Sequence, residues 1–511
     1  MNPITLTIQH SWTISAAHAH LAQGAVARVV TATGRSMGIV DTSTLWHAIE
    51  SGYAEDSLTR CMWQLPTRSS PVYTPTFCIM RMHNGYVWHP IVHAPSRSIP
   101  WQDVYRALPE TIWRVLTQVA QVASAQHAQL YVVGGAVRSV VQSEPITDLD
   151  VAMNGDMAVI GPTLADYLGT TILQRSAFDT ATLAMPDDVI GQTGITYIDI
   201  VPLRTETYVH PGALPVVTPT SSIVIDLGRR DLTINAMAIG FRPHEDMLLY
   251  DPFAGEADLA HQCARILHPL SFIDDPTRVV RMARLMVRLG LGMDTTTQRA
   301  LRWAVASGVM MRVSRQRWIQ EVYRMLDEAN PQAICVLLRR WGVLAQIDAV
   351  FTHGVASVVT QLSSEWRILA MIWQAPIAQL ADFMARWHDA PKPMRGVVAL
   401  RQTRRQWYRL RTALPSQIAR YLRQFDRRLL QQVAYIEPQL VALLHRVDMA
   451  HDAMTPMYVR GGDLIRLGVP AGPVVGHLLQ ALNDALLDGN ALATYDVQVA
   501  WLKEQALWHT R

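Results

Sequence analysis

The chain has 511 residues, 50% of them apolar and 17% charged, so large cores can form and global disorder is excluded. Length alone suggests about three or four domains, and a net charge of only +3 does not by itself call for a polyanionic partner. The four cysteines (Cys61, Cys78, Cys263 and Cys335) lack CxxC spacing, which argues against a zinc-cysteine site or a disulfide framework.

In chain order, residues 1–72 read as a small α/β unit. Val26, Ala27, Arg28, Val29 and Val30 make one strand, Met37 to Val40 a second, and Thr44 to Ile49 begin a helix that ends near Gly52. The run from Gly34 to Thr42, followed by that helix, resembles a single CBS-type repeat. Such repeats work in pairs and some bind adenine nucleotides. Residues 73–100 are rich in Pro, His and aromatics and do not repeat the pattern, so a structural role is expected rather than ligand sensing. Residues 73–108 are expected to be a linker.

From Pro109 a helix follows, with Ile112, Val115, Leu116, Val119 and Val122 on one apolar stripe. Leu130 to Val133 read as a buried strand that Gly134 and Gly135 break before a short helix. Backbone N–H groups at such a turn and helix start favour phosphate oxygens. Asp148 and Asp150 stand two apart in an apolar run, so on a strand both carboxylates point to one face. Held that close they repel unless a cation sits between them, and Mg²⁺ suits oxygen ligands shared with substrate phosphates. A lone Gly-Gly is usually a turn and a lone Asp-x-Asp a solvated strand end. In this order, on a strand–turn–helix–strand pattern, they are equipment for nucleotidyl transfer. Short apolar runs at 171–173, 182–184 and 196–201 complete a mixed sheet with flanking helices.

Arg229 to Ala236 place dense charge before an apolar run read as helical. An arginine here, such as Arg230, can hold a triphosphate, while Asp231 and Asn235, four apart, can reach a ribose hydroxyl. In the run from Asp274 to Arg284, Pro276 suits a first helical position with Asp275 as N-cap. Arg278, Arg281 and Arg284 then share a face. Asp275 accepts from an exocyclic amine and Arg278 donates to a ring acceptor, a match to cytosine or adenine. Guanine and uracil present the opposite groups, and each buried mismatch costs on the order of 1–3 kcal/mol. Beyond residue 275 the chain reads as nearly all helix. Lys392 and Lys503 are the only lysines, and the arginines cluster at Arg401, Arg404, Arg405, Arg409 and Arg411, then at Arg420, Arg423, Arg427 and Arg428. These clusters are either solvated helix faces or a phosphate-contacting surface.

Five ordered segments resemble the class II tRNA nucleotidyltransferase and bacterial poly(A) polymerase family. They are residues 134–138 with 148–150, then 229–238, 251–259, 274–284 and 313–321. The run from Gly461 to Gly468, with Gly472 and Pro473, also resembles the end of these enzymes. The resemblance implies an α+β protein: a mixed-sheet nucleotidyltransferase head at 109–275, an all-helical neck at 276–350, and a helical, RNA-binding body and tail at 351–511, preceded by the CBS-like unit. It implies that Asp148 and Asp150 bind the catalytic Mg²⁺ and that the Gly134–Gly135 turn and Arg138 contact the incoming nucleotide. Arg230 would hold the triphosphate, Asp231 with Asn235 the ribose, and Asp275 with Arg278 the base, supported by Arg281 and Arg284. Residues 251–259 would be a hinge. Two departures stand out: Ser139 replaces the usual Asp, and Asp274 replaces the usual Glu with a shorter arm. Asp199 is a further candidate carboxylate near the metal.

The activity expected is template-independent addition of CMP and AMP, from CTP and ATP, to tRNA 3′ ends with release of pyrophosphate. Alternatives are an enzyme adding only the final A, a poly(A) polymerase, and a catalytically dead, nucleotide-sensing RNA-binding scaffold. The start lacks the pattern of a signal peptide and no apolar stretch is long enough for a bilayer, so a cytoplasmic protein with no membrane partner is expected.

Overall fold

The computed structural model describes residues 6–23, 25–63, 72–73, 77–82, 85–90, 96–175, 179–353, 362, 364–387, 390 and 392–508. Contacts group the chain into two compact units, Met1–Glu321 with Glu328–Ile347, and Val322–Asp327 with Asp348–Arg511.

The first unit begins with strands β1 (Leu6–Gln9), β2 (Val26–Val30) and β3 (Ser36–Asp41), β1 parallel and β3 antiparallel to β2. Helices Ile14–Ala19 and Thr42–Glu50 accompany them. The second helix starts before the expected Thr44 because Asp41 caps it, accepting from the Thr44 N–H at 2.9 Å, the Thr44 hydroxyl at 2.7 Å and the Trp63 indole at 2.9 Å. β1 and the first helix were not read from sequence. This small unit rests on the helix Thr295–Ser307, where the Trp303 indole donates to Asp56 at 2.9 Å and Arg299 to the Met62 carbonyl at 2.8 Å.

The linker expected at 73–108 is corrected. β4 (Val72–Tyr73), β5 (Phe77–Met82) and β6 (Gly85–Pro90) form an antiparallel sheet, β7 (Ser96–Ile99) joins the head sheet, and Trp101–Ala107 is helical. β7 carries one apolar residue, so it lacks the alternation that marks a strand; its place comes from backbone pairing at an edge.

The head sheet also holds β8 (Leu130–Val133), β9 (Asp150–Met153), β10 (Ile172–Arg175), β11 (Ala181–Ala184) and β12 (Tyr197–Pro202). A separate hairpin, β13 (Arg204–Thr207) with β14 (Val216–Pro219), precedes β15 (Ala238–Gly240) and β16 (Met247–Tyr250). The order across the sheet is β10-β11-β12-β9-β8-β15-β16-β7, with only β12 and β9 parallel. The stripe Ile112, Val115, Leu116, Val119 and Val122 is buried, and one face of the sheet packs Tyr131, Val133, Ala152, Ala238 and Phe253 into a core.

Two expectations about helices are also corrected. Residues 229–236 form no α-helix: a 3-10 turn at Thr233–Asn235 feeds β15. The fully buried Ile234, Ala236, Met237 and Ala238 serve a central strand, and a short apolar run does not distinguish strand from helix. The helix expected from Pro276 begins at Arg278. Asp275 accepts instead from the Thr277 N–H at 3.0 Å and hydroxyl at 2.6 Å, closing a turn before the helix.

Among its described residues, the second unit carries helices joined by turns and loops, and no strand. Trp373 and Trp407 stack at 6.4 Å in its core, and Glu437 takes the Trp373 indole at 2.6 Å and Arg404 at 2.7 Å. Arg401 donates to the Trp373 carbonyl at 3.0 Å. Arg401 and Arg404 thus brace a core, whereas Arg405, Arg409, Arg411, Arg420, Arg423, Arg427 and Arg428 are exposed. Among the described residues, no helix is long and apolar enough to cross a membrane.

Candidate functional site

The site is built where β8 ends. Gly134 adopts φ +67°, a left-handed conformation that favours glycine, and the helix Gly135–Gln142 follows at once. A Cβ at Gly134 would stand 3.3 Å from Asp150 Oδ2 and 3.9 Å from a terminal nitrogen of Arg230. At Gly135 it would strike Asp148 Oδ1 at 2.5 Å. Both carboxylates therefore lie against the glycine turn, Asp150 opening β9 and Asp148 just before it. Asp199 pairs in register with Asp150 across β12 and accepts from the Thr182 hydroxyl at 2.6 Å. Burial, then the charges of Asp148 and Asp199, push the Asp150 carboxyl up to about 6 against the pull of Arg230 and Arg281. Among the described residues, none of the three carboxylates makes an ion pair.

Next to this acidic group the carboxylates are paired with arginines. Asp226, fully buried, accepts from Arg229 at 2.7 Å, Arg230 at 3.0 Å and the Arg204 N–H at 3.2 Å. Glu206 takes Arg204 and Arg229, each at 2.9 Å, and the Tyr208 hydroxyl at 3.0 Å. Arg230 keeps a buried Nε with no hydrogen-bond partner, a donor aimed at nothing the chain supplies. Asp231 accepts from the Leu232 N–H and the Asn235 amide, both at 2.8 Å, and from Arg281 at 3.0 Å. Burial would raise its carboxyl, but Arg281 and those hydrogen bonds outweigh burial and hold it far below the ordinary carboxylate range. Arg138 donates to the other end of the Asn235 amide.

The candidates thus fall into groups. Gly134, Gly135, Asp148, Asp150 and Arg230 meet at the turn, and Arg138, Asn235, Asp231 and Arg281 form a chain beside them. Arg278 does not belong to a solvated stripe. It is buried, and donates to Ser271 at 2.8 Å, the Arg229 carbonyl at 2.7 Å and the Tyr208 hydroxyl at 3.1 Å. Arg284 points elsewhere, to Glu328 at 2.9 Å. Asp275 pairs with Arg317 at 2.8 Å, and Arg317 also donates to the Gly212 carbonyl at 2.9 Å. Sequence reasoning missed Arg317, Asp226 and Glu206. Arg317 carried a signal, since it falls within the motif at 313–321, and so did Glu206, in the run 204–215 that resembles a loop of the same family, whereas Asp226 carried none.

The chain is similar to several known proteins. Residues 130–265 match the poly A polymerase head domain family. An A-adding tRNA nucleotidyltransferase of Halalkalibacterium halodurans is 32% identical over 297 residues, 57% of this chain and 66% of that protein. A CCA-adding enzyme of Pseudomonas entomophila is 29% identical over 382 residues, 70% of this chain and 96% of that protein. The chain covers 66%, 28% and 25% of three A-adding relatives, no more than about two thirds of any. A solved CCA-adding enzyme in an apo form shares the fold, with TM-score 0.63 and 22% identity over 80% of this chain and 99% of that one.

Proposed function

We propose that the chain is a member of the class II tRNA nucleotidyltransferase and poly(A) polymerase family, and that it transfers CMP or AMP from CTP or ATP to tRNA 3′ ends without a template. One observation carries this reading: two carboxylates pressed against a glycine turn, where an added Cβ would crowd Asp150 at Gly134 and collide with Asp148 at Gly135. A side chain at Gly135 would fill the space in which Asp148 sits, and burial, with Asp148 and Asp199 beside it, leaves the Asp150 carboxyl raised. Both features fit a pair of cation ligands. Mg²⁺ held by Asp148 and Asp150 would neutralise phosphate charge and lower the pKa of the attacking hydroxyl.

The chain's own residues supply the rest. The N–H groups after Gly134 and the unpartnered Arg230 Nε hold the phosphates that leave as pyrophosphate. Asp231, fixed by Asn235 and Arg281, accepts from the ribose, and Arg138 holds Asn235 in place. Asp275 accepts the exocyclic amine of C or A. Arg278 reads the ring acceptor by exchanging its bond to Tyr208 or Ser271, so base recognition is coupled to the contact between hairpin and neck. The exposed arginines between Arg405 and Arg428 meet RNA phosphates. In this reading the head spans 109–275 with β7 added, the neck 276–350, and the body and tail 351–511. A catalytically dead scaffold is disfavoured, because the acidic group and its arginine frame are both complete.

The test is incubation with tRNAs lacking A, CA or CCA and each labelled nucleotide in turn. Incorporation of A alone onto the CC-ending tRNA assigns the A-adding branch, and C followed by A assigns full CCA addition. Long A tracts on unrelated RNA, or no incorporation at all, would overturn the tRNA reading.

A further inference from the structure

Away from the glycine turn, three side chains from two distant parts of the chain converge. His47 lies on the helix Thr42–Glu50 of the N-terminal unit, while His268 precedes and Asp274 closes the short helix Ser271–Asp274 that leads to Asp275. Among the described residues, these are the one set of three His, Cys, Asp or Glu side chains whose ligand atoms all lie within 4.8 Å of one another. His47 Nε2 stands 2.9 Å from Asp274 Oδ1. His268 Nε2 approaches the other oxygen at 3.7 Å, too far for a hydrogen bond. The rings sit with centroids 6.1 Å apart, one on each oxygen of the same buried carboxylate.

We propose that His47, His268 and Asp274 form a binding site for a divalent transition metal of the zinc class, which ties the N-terminal unit to the end of the head one residue before the proposed base reader. Two imidazoles and a carboxylate are the donors such ions prefer, and three protein ligands leave a fourth position for water. His268 is largely buried, and its Nε2 faces the second oxygen of Asp274. The half-exposed edge of His47 gives an ion its way in. The cysteines take no part, and the proposal stands independently of the nucleotidyl-transfer reading.

The test uses the full chain stripped with a chelator, then titrated with Co²⁺ in excess Mg²⁺ and read by the visible absorption of bound cobalt. One equivalent should bind, and Zn²⁺ should displace it. His47→Ala removes a half-exposed side chain, and should weaken cobalt binding by more than the ~10–100-fold that loss of a group behind a ligand costs. His268→Gln should do the same, and Asp148→Asn should leave the cobalt spectrum unchanged. The proposal is overturned if the wild-type chain binds no cobalt under these conditions, if His47→Ala binds it as tightly, or if binding is lost in Asp148→Asn instead. Limited proteolysis gives a second readout, with the N-terminal unit released more slowly when Zn²⁺ is present.

Discussion

The two halves of the candidate site treat charge in opposite ways. Around the glycine turn, Asp148, Asp150 and Asp199 face one another, and Asp150 is pushed up to about 6. A few residues away, Asp226, Glu206, Asp231 and Asp275 each hold at least one arginine at 2.7–3.0 Å. The first half is an electrostatic problem that folding leaves open; the second is solved before any ligand arrives. A rigid, neutralised frame placed beside an unneutralised group is what a site needs if its ligand is to supply the cation.

Four variants separate the halves, from the largest effect to the smallest. Asp148→Ala belongs to the open half and should lower nucleotide incorporation by about 10³-fold or more, several kcal/mol of lost stabilisation. A gel-shift assay should find RNA binding nearly intact, and appreciable turnover would remove the metal role from this residue. Asp226→Asn belongs to the closed half and should act on the fold instead. It takes from Arg230, whose side chain is 14% exposed, its one ion pair among the described residues and leaves Arg229 with Glu206 alone, a loss of about 3 kcal/mol in denaturant unfolding. If stability is unchanged, the frame is not self-supporting.

Gly135→Ala tests the contact between glycine turn and carboxylate. The added methyl displaces Asp148, and a shift of about 1 Å should cost roughly 100-fold in kcat with little change in melting temperature. Asp231→Asn should give the smallest effect, about 2 kcal/mol at neutral pH, since one of its partners, Arg281, is partly exposed. The sign follows from its depressed pKa: the carboxylate's contribution is present at all pH values above the ordinary unfolded value near 3.9 and is lost as pH falls through the lower folded value. Wild-type and variant unfolding curves should therefore stay apart down to about pH 4 and converge only below it. Convergence near pH 6 would mean that Asp231 is not held by Arg281.

Much of this architecture was legible because it rests on local pattern. The stripe from Ile112 to Val122, the β12 run and the pairing of Gly134 and Gly135 with Asp148 and Asp150 depend on periodicity and short spacing. What escaped depends on tertiary structure. β7 contributes backbone pairing rather than apolar side chains, so Ser96, Arg97 and Ser98 carried no signal. Arg278 lies on a regular three-residue spacing with Arg281 and Arg284, but periodicity cannot show that the stripe is buried at one end and bonded to the Arg229 carbonyl. Arg317 meets Asp275, and His47 meets Asp274, only because distant segments fold together.

The edge position of β7 has a practical consequence for anyone dividing this protein. A head fragment starting at residue 109, where the recognisable motifs begin, would leave Met247–Tyr250 with an unpaired backbone rim. Such rims recruit strands from other molecules, so the fragment is expected to self-associate and precipitate. A soluble fragment needs its first residue upstream of Ser96.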